Sequence, residues 1–222
     1  SHIFLKCWKK HKRIFTLHTK HSTYQMQVDS LGYLLHLYYG AKNNSSMEYV
    51  LTYADRGFSG NPYAAGADRT YSLDALPQEF PTLGTGDYRN IALDIKNSRG
   101  IESTNLLYKK HEIRKGKYAL PGLPAVWADE AEAQTLEIVL ADENAGMEVH
   151  LLYGVLEEVD VITRSAVIRN IGTETVTIEK AAAACLDFVS GNYDVIRFYG
   201  KHAFERNVER TVLGHGTIAF GS

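Results

Sequence analysis

The sequence predicts an all-β protein, a large antiparallel β-sandwich. Apolar and polar residues alternate with a period of two in most segments, which is typical of strands with one buried face. Turn signals rich in Gly, Asn and Asp separate these segments, and no segment has the 3.6-residue period of a convincing amphipathic helix. The 222 residues can bury a substantial core as one large all-β domain, or as two smaller ones.

The first predicted hairpin lies between residues 24 and 39. Residues 24–28 alternate, with Gln25 and Gln27 on the polar face, and this pattern predicts a half-buried strand. Residues 29–32 (Asp-Ser-Leu-Gly) have turn chemistry. Apolar and aromatic residues then fall on both faces of residues 33–39, so we expect the second strand to be buried on both sides.

The remaining strands are predicted on either side of a long irregular loop. Residues 47–51, before the loop, fit either one helical turn or a short strand. Strand signals return after residue 90 and occupy most of the chain that follows. The predicted strands there lie at residues 91–95, 106–114, 136–140, 147–153, 159–169, 175–188 and 195–199.

Turn residues separate these later strands. Residues 97–100 (Asn-Ser-Arg-Gly) form one turn, and residues 142–146 join the strands of a second hairpin. Gly172 is expected to take the positive φ that the turn around it needs. Alanines 181–184 raise the helix propensity, but the β-branched residues 176–178 before them favour a strand that continues through.

The rest of the chain is organised around the long loop, residues 53–90. It contains five glycines, three prolines and six aromatic residues, with neither the strand nor the helix period. Structureless loops longer than about 15 residues are uncommon in compact domains and tend to be functional or disordered. Because disordered segments are usually poor in aromatic residues, we expect an ordered, functional loop.

The charged and aromatic residues of this loop suit a sugar surface. Aromatic rings cover the C–H faces of a sugar, and charged groups bind its hydroxyls through charge-assisted hydrogen bonds. Turn capping and mutual pairing would use the same residue types. For Asp55 the two interpretations weigh equally, and for the other charged residues capping is favoured. Those others are Asp68, Asp74, Asp87, Arg56, Arg69 and Arg89.

Charge and cysteine content exclude several classes of protein. The net charge is −2 and Lys and Arg are dispersed, so the chain lacks the basic footprint of a nucleic-acid binder. The one basic cluster, residues 6–13, is interpreted as a solvated chain end. Two cysteines, Cys7 and Cys185, do not make a disulfide framework, which predicts a reduced, cytoplasmic protein. No apolar run approaches the about 18 residues of a membrane span, and no signal-peptide pattern is present.

Three polar clusters are interpreted as structural. His18 and His21 are three residues apart, which on a strand points them to opposite faces, so we expect no metal site. Glu157 and Glu158 would also face oppositely, the wrong arrangement for an acid and a base acting on one bond. Residues 202–210 fit an exposed helical turn or loop with i,i+4 ion pairs better than a catalytic or phosphate cluster. No nucleotide or dinucleotide fingerprint is present, and we expect no cofactor.

Several long motifs spread along the chain carry a resemblance to known proteins. They are LGYLLHLYYG, YADRGFSGNPY, DRTYSLDALPQEFPTLGTGDYR, LPGLPAVWA, LYGVLEEVDVITRSAVIRN and FYGKHAFERNVERT. These motifs are similar to those of one known family, the bacterial α-galactosidases of glycoside hydrolase family 36. The resemblance is to the N-terminal domain of these enzymes and covers nearly the whole chain. It implies a β-supersandwich of two packed antiparallel sheets, in agreement with the period-two pattern.

The resemblance also implies where the chemistry lies. In that family a (β/α)8 barrel follows the sandwich and contains both catalytic aspartates, a nucleophile in a Lys-Trp-Asp motif and a separate acid/base. Neither motif occurs here, since residues 127–129 (Trp-Ala-Asp) do not match, so residues 1–222 are expected to be a single N-terminal domain without catalytic residues. A sandwich loop of family members reaches toward the sugar pocket, and Asp55 looks like the group there that helps to hold the galactose hydroxyls. The family is commonly oligomeric, with these domains at subunit contacts.

We therefore expect the N-terminal part of a retaining α-galactosidase that acts on terminal α-galactosides such as melibiose and raffinose. The complete enzyme would form and hydrolyse a covalent galactosyl-enzyme, and this part would supply a substrate-contacting loop and an oligomerisation surface. The alternative is a freestanding carbohydrate-binding, lectin-like sandwich whose aromatic loop binds the sugar alone. A barrel in the complete reading frame would decide between the two.

Overall fold

The computed structural model describes residues 3–8, 12–51, 71, 73, 76–84, 90–100, 103–123, 132–186, 188 and 191–220. The chain divides into two compact units, residues 1–187 and 188–222. Within the described residues the strands are β1 (Ile3–Trp8), β2 (Lys12–His18), β3 (Ser22–Val28), β4 (Leu34–Ala41), β5 (Leu93–Asn97), β6 (Leu107–Lys115), β7 (Ala133–Asp142), β8 (Met147–Leu156), β9 (Val161–Asn170), β10 (Val176–Ala181), β11 (Asp194–Lys201) and β12 (Phe204–Val212).

The first unit is built on two four-stranded antiparallel sheets, ordered β1-β2-β3-β4 and β6-β7-β8-β9. A short antiparallel pair, β5 with β10, accompanies them. One apolar cluster joins both sheets, because Phe15 and Met26 of the first pack together with Ile138, Leu151 and Tyr153 of the second, all fully buried. The predicted all-β fold of packed antiparallel sheets is confirmed.

β3 and β4 form the predicted first hairpin, in which Gly32 has a φ of +91°. The prediction of a half-buried β3 is wrong, because Gln25 and Gln27 are each only 2% exposed. The connection after β4 covers this polar face: the Gln25 side chain donates to the backbone oxygen of Ser45 (2.8 Å) and accepts from the backbone N–H of Met47 (3.0 Å). β4 is buried on both sides over its first half only.

The segment before the long loop forms a single 3-10 turn, Glu48–Val50, rather than a strand. The backbone N–H of Leu51 donates to the oxygen of Glu48 (3.1 Å) and closes this turn. Met47 and Leu51, on either side of it, are buried in a second apolar cluster together with Leu35 of β4. The buried residues on either side of the turn therefore hold the start of the long loop against β4.

The turn between β7 and β8 is closed by Asp142, whose Oδ1 accepts two backbone N–H groups of the turn, each at 3.0 Å. Gly172, in the next turn, does not have the positive φ predicted for it. Gly172 instead lies against Gly146 (φ +66°): a Cβ on Gly146 would be 2.8 Å from the Gly172 Cα, and a Cβ on Gly172 would be 3.3 Å from the Gly146 Cα. The close approach of the two turns therefore requires glycine at position 146 and disfavours a side chain at position 172.

Two more predictions in the first unit are wrong. β10 does not continue through the alanines, because its partner β5 begins at Leu93, which pairs with Ala181, and the ladder ends there. Glu157 and Glu158 do not lie on a strand but in the turn that joins β8 to β9. The Asp160 N–H closes this turn by donating to the backbone oxygen of Glu157 (3.0 Å).

The second unit is an antiparallel hairpin of β11 and β12. Residues 202–210 were expected in a helical turn or loop, and this is wrong, because most of them belong to β12. The charged residues pair across the two strands instead of along a helix, Arg197 with Glu209 and Arg210 with Asp194. In the described part of the chain, no helix has the length and apolar character needed to cross a membrane.

Candidate functional site

The described parts of the long loop are held at its base by two groups of buried polar side chains. Asp55, the residue predicted to contact substrate, lies outside the described residues. The same holds for Asp68, Asp74, Asp87, Arg56, Arg69 and Arg89. The loop is connected to the sheets by Leu51, Tyr71, Leu73 and residues 76–84.

The first group surrounds Glu79, a loop carboxylate that is 0% exposed. Its Oε1 accepts hydrogen bonds from Arg164 Nη1 (2.6 Å), from the Tyr153 hydroxyl (2.8 Å) and from the Tyr24 hydroxyl. Its Oε2 lies 3.1 Å from His36 Nδ1. Because Glu79 pairs with Arg164 as a carboxylate, it can only accept, so Nδ1 of His36 donates the proton. Four strands, β3, β4, β8 and β9, thus supply donors to one loop residue.

The backbone around Glu79 is fixed as firmly as its side chain. Arg164 Nη2 donates to the Glu79 backbone oxygen (2.9 Å), and the Glu79 N–H donates to the oxygen of Leu34 (2.9 Å). The His36 N–H donates to the oxygen of Pro77 (2.7 Å). The stretch from Pro77 to Glu79 therefore runs along β4 like an added edge segment.

Electrostatics keep the Glu79 carboxyl ionised and the Tyr24 and Tyr153 hydroxyls protonated. Burial raises the pKa of Glu79, but the Arg164 charge and the donated bonds outweigh it, and the pKa lies below its usual value. Burial raises the pKa of the Tyr24 and Tyr153 hydroxyls well above the ordinary tyrosine value, so both remain donors. A carboxylate with no solvent exposure and four partners cannot reach a substrate, so this group positions the loop and does not perform chemistry.

The second group surrounds Asp29, in the turn between β3 and β4. Its Oδ1 accepts from the backbone N–H groups of Leu31 (2.9 Å) and Tyr33 (3.0 Å). Its Oδ2 accepts from the hydroxyl of Tyr71, a loop residue that is 5% exposed. Burial raises the pKa of Asp29, and the bonds it accepts offset only part of that rise. Leu73 and Leu76, each 1% exposed, attach the same part of the loop by packing in the second apolar cluster together with Tyr71.

The structure does not bring the two candidate histidines together. His18 Nδ1 lies 2.8 Å from the Thr23 hydroxyl, whereas His21 Nδ1 lies 3.3 Å from Asp160. Among the described residues, no group of three His, Cys, Asp or Glu side chains is placed to hold a metal ion.

Sequence reasoning missed Glu79 and its partners. Glu79 lies between Pro77 and Phe80 in a loop rich in charged residues, so nothing distinguished it from a solvated glutamate. Arg164 lies in an alternating strand, where a polar residue is expected to face solvent. The available signal was the motifs that contain them, DALPQEFPTLG and VDVITRSAVIRN, which belong to the segments that carry the family resemblance.

Comparison with known proteins gives a family match and close relatives. Residues 32–222 match the glycosyl hydrolase family 36 N-terminal domain. The chain is 80% identical over 215 residues to the bifunctional alpha-galactosidase/sucrose kinase AgaSK of Mediterraneibacter gnavus, which is 97% of this chain and 23% of AgaSK. It is 39% identical over 212 residues to alpha-galactosidase Mel36A of Lactobacillus acidophilus, which is 95% of this chain and 29% of Mel36A. The chain thus spans less than a third of the length of either relative.

The fold is also similar to solved structures. The galactosidase domain of AgaSK superimposes with a TM-score of 0.89 at 79% identity, over 99% of this chain and 30% of that one. A variant of the family 36 alpha-galactosidase AgaA from Geobacillus stearothermophilus, in complex with raffinose, superimposes with a TM-score of 0.81 at 41% identity. That match covers 91% of this chain and 28% of AgaA.

Proposed function

Because the chain belongs to the N-terminal domain family of glycosyl hydrolase family 36, we propose that it is the non-catalytic N-terminal domain of a retaining α-galactosidase. The enzyme would act on terminal α-galactosides of the melibiose and raffinose type. The family match over residues 32–222 is the observation on which this proposal rests. The relatives named alpha-galactosidases, and the raffinose bound to AgaA, support the substrate class.

In this proposal residues 1–222 form one domain, and a catalytic (β/α)8 barrel lies elsewhere in a longer polypeptide. The continuous match, which includes most of the first unit and all of the second, supports the single domain. The share of the relatives that this chain spans, 23% and 29%, leaves room for the barrel. The barrel would supply the nucleophile and the acid/base that hydrolysis with retention requires.

The role proposed for this domain is to present Asp55 to the galactose hydroxyls. A carboxylate that accepts bonds from sugar hydroxyls binds more strongly than a neutral acceptor. The two buried groups at the base of the loop support this role, because a substrate-contacting residue needs a support that holds it in place. In both groups a buried carboxylate, Glu79 or Asp29, forms the hydrogen bonds that attach the loop to the sheets.

Activity measurements test whether the catalytic residues lie outside residues 1–222. The full-length enzyme is expected to hydrolyse an aryl α-galactoside, and the isolated chain of residues 1–222 is expected not to, because it lacks the paired catalytic carboxylates. Turnover by the isolated chain, free of host enzyme, would contradict the assignment. Galactose binding by the isolated chain, measured by calorimetry, would instead favour a freestanding carbohydrate-binding sandwich.

The domain is also proposed to contribute to a homo-oligomer. One face of the β11–β12 hairpin presents Ile196, Phe198, Val208 and Val212, which are 59%, 72%, 62% and 72% exposed. Phe198 and Val208 are direct neighbours across the two strands, and large exposed apolar residues grouped on one face are typical of protein contacts. Sedimentation of a Phe198→Ser/Val208→Ser double variant of the full-length enzyme should show smaller particles, whereas Val159→Ser, which removes an apolar residue that is 63% exposed in the β8–β9 turn, should not. Unchanged sedimentation of the double variant would contradict an oligomer contact at this face.

A cytoplasmic location is part of the same proposal. It rests on the scarcity of cysteine, two residues in 222, which fits a reducing compartment. Labelling of the native enzyme with a compartment-specific reagent would test it.

A further inference from the structure

We propose that the free edge of β9 is the docking site of one more strand, which the remainder of the longer polypeptide supplies. This inference rests on the proposed function only because it requires that longer polypeptide. β9 is the last strand of the second main sheet and pairs with β8. Among the described residues, the backbone of Val161–Asn170 makes no hydrogen bond to any segment other than β8. Because successive residues of a strand direct their backbone groups to opposite sides, about half of these groups face away from β8.

The other edges of the two main sheets are protected in ways that β9 is not. β4 is covered by residues 77–79 of the loop, which bond to the backbone of His36 and Leu34. β6 has a bulge between Tyr108 and Lys110 and contains three lysines. β1 has only six residues. Covering segments, bulges, lysines and short length are the features by which proteins prevent unwanted pairing at a sheet edge.

β9 has none of these protective features. It is ten residues long, contains neither lysine nor proline, and pairs with β8 along its whole length without a bulge. A long, regular edge strand is a template for another strand, and an uncovered one favours aggregation. A segment that adds a strand to such an edge gains main-chain hydrogen bonds along its length. The edge of β9 is therefore suited to be paired in the complete protein.

The side chains of β9 also indicate that the sheet continues. Ile162, Ala166 and Ile168 pack against the apolar cluster between the two main sheets, but they are only partly buried. A further strand would cover them with apolar side chains of its own. Because successive side chains of a strand point to opposite faces, the docking segment should have apolar residues at every second position and no proline in its middle. It would be the fifth strand of this sheet.

The size of the edge favours a segment of the same polypeptide over a second copy of the chain. A ten-residue strand is about 34 Å long and a sheet is about 10 Å thick, so pairing along β9 buries roughly 700 Å² in total. Stable interfaces between separate proteins bury about 1,200–2,000 Å². A tethered segment avoids most of the cost of association. The chain spans 23% of AgaSK and 29% of Mel36A, which leaves ample length for such a segment.

Hydrogen exchange in the full-length enzyme tests the pairing. If a strand docks on β9, nearly all backbone amides of residues 161–170 should exchange slowly, because both sides of the strand are bonded. If β8 is the only partner, about half of them should exchange slowly. β6 is the internal control, since it is an edge strand of nine residues that pairs with β7. Fast exchange of about half of the β9 amides, or protection of β6 equal to that of β9, would overturn the proposal.

Photo-cross-linking identifies the segment that docks. Val161, which is 39% exposed, and Arg169, also exposed, lie on one face near the two ends of β9. A benzophenone side chain placed at either position of the full-length enzyme is expected to cross-link to a peptide outside residues 1–222. A mixture of isotopically heavy and light chains shows whether the link lies within one chain. Links between two copies, links confined to residues 1–222, or no link at either position would overturn the proposal.

These outcomes also separate the docked strand from the proposed function. A full-length enzyme that hydrolyses an aryl α-galactoside while about half of the β9 amides exchange quickly would overturn the docked strand and leave the proposed function intact. A long polypeptide with a fully protected β9 but no α-galactosidase activity would overturn the proposed function and support the docked strand.

Discussion

Arg164 and Glu79 form a buried ion pair in which one guanidinium group binds both the side chain and the backbone of its partner. Nη1 of Arg164 lies 2.6 Å from Glu79 Oε1, and Nη2 lies 2.9 Å from the Glu79 backbone oxygen. The Arg164 side chain is 9% exposed and that of Glu79 is 0% exposed. The pair therefore joins β9 to the long loop at a site from which water is largely excluded.

This pair predicts an asymmetry between single and double substitutions. Arg164→Met leaves a buried carboxylate without its arginine partner and should lower the free energy of unfolding by about 3–5 kcal/mol. The Glu79→Gln/Arg164→Met double variant removes both charges and should cost much less. Denaturant unfolding of both variants measures the difference. Equal losses in the two would show that the Glu79 charge does not depend on Arg164.

Asp160 predicts a stability effect from a contact between turns. Its Oδ1 accepts from the Thr19 hydroxyl and from the His21 backbone N–H (2.9 Å), so it links the β8–β9 turn to the β2–β3 turn. Its φ is 59°, in the left-handed region that Asp and Asn tolerate better than Ala. Asp160→Ala should lower the melting temperature by on the order of a few degrees, and Asp160→Asn by less.

The neighbouring Glu158 provides the control for Asp160, since it is an exposed residue of the same turn. Glu158→Ala should leave the melting temperature nearly unchanged. Thermal unfolding followed by circular dichroism distinguishes the three variants. If Asp160→Ala has the same melting temperature as the wild type, the link between the turns does not stabilise the fold.

Glu137 predicts a pH dependence of stability. Its oxygens lie 2.6 Å from His150 Nδ1 and 2.6 Å from Arg114 Nη1. Burial raises the pKa of Glu137, but the bonds from His150 and Arg114 outweigh it and hold the pKa below the ordinary value of 4.5. A carboxyl with a lowered pKa in the folded state contributes stability that is present above its unfolded pKa and is lost as the pH falls through its folded pKa.

Relative to wild type, Glu137→Gln should therefore cost about 1–2 kcal/mol near neutral pH, and the gap should shrink as the pH falls below about 4.5. Denaturant unfolding at a series of pH values measures this gap. Glu112 is the control, because it bonds the same Arg114 (3.2 Å) with a side chain that is 63% exposed, and Glu112→Gln should cost little at any pH. A gap for Glu137→Gln that stays constant with pH would contradict the assigned charge interaction.

Strands were predictable from sequence where their own residues show which face is buried. Alternation located most of them, and the hairpins around Gly32 and Asp142 followed from their turn residues. The errors occurred where a distant segment decides the environment. Gln25 is buried because the connection after β4 folds over it. The residues around Gln25 do not show that a later segment covers this face of the strand.

The same limit applies to the candidate site. Glu79 became recognisable as a structural residue only when four strands brought their donors to it, and a single sequence does not reveal such convergence. β12 was missed because charged residues occupy both of its faces, which conceals the period of two. Asp55, inferred from motif resemblance alone, stays a prediction.

The kinetic constants and melting temperature of the full-length Asp55→Ala enzyme test the central claim most directly. A carboxylate bonded to sugar hydroxyls contributes roughly 1.5–3 kcal/mol, so kcat/KM should fall about ten- to a hundredfold or somewhat more. Folding should change by less than about 0.5 kcal/mol, because the side chain lies outside the core in this account. If Asp55 only caps a turn, its loss should instead cost about 1 kcal/mol of stability. Unchanged kcat/KM with a depressed melting temperature would contradict the substrate contact.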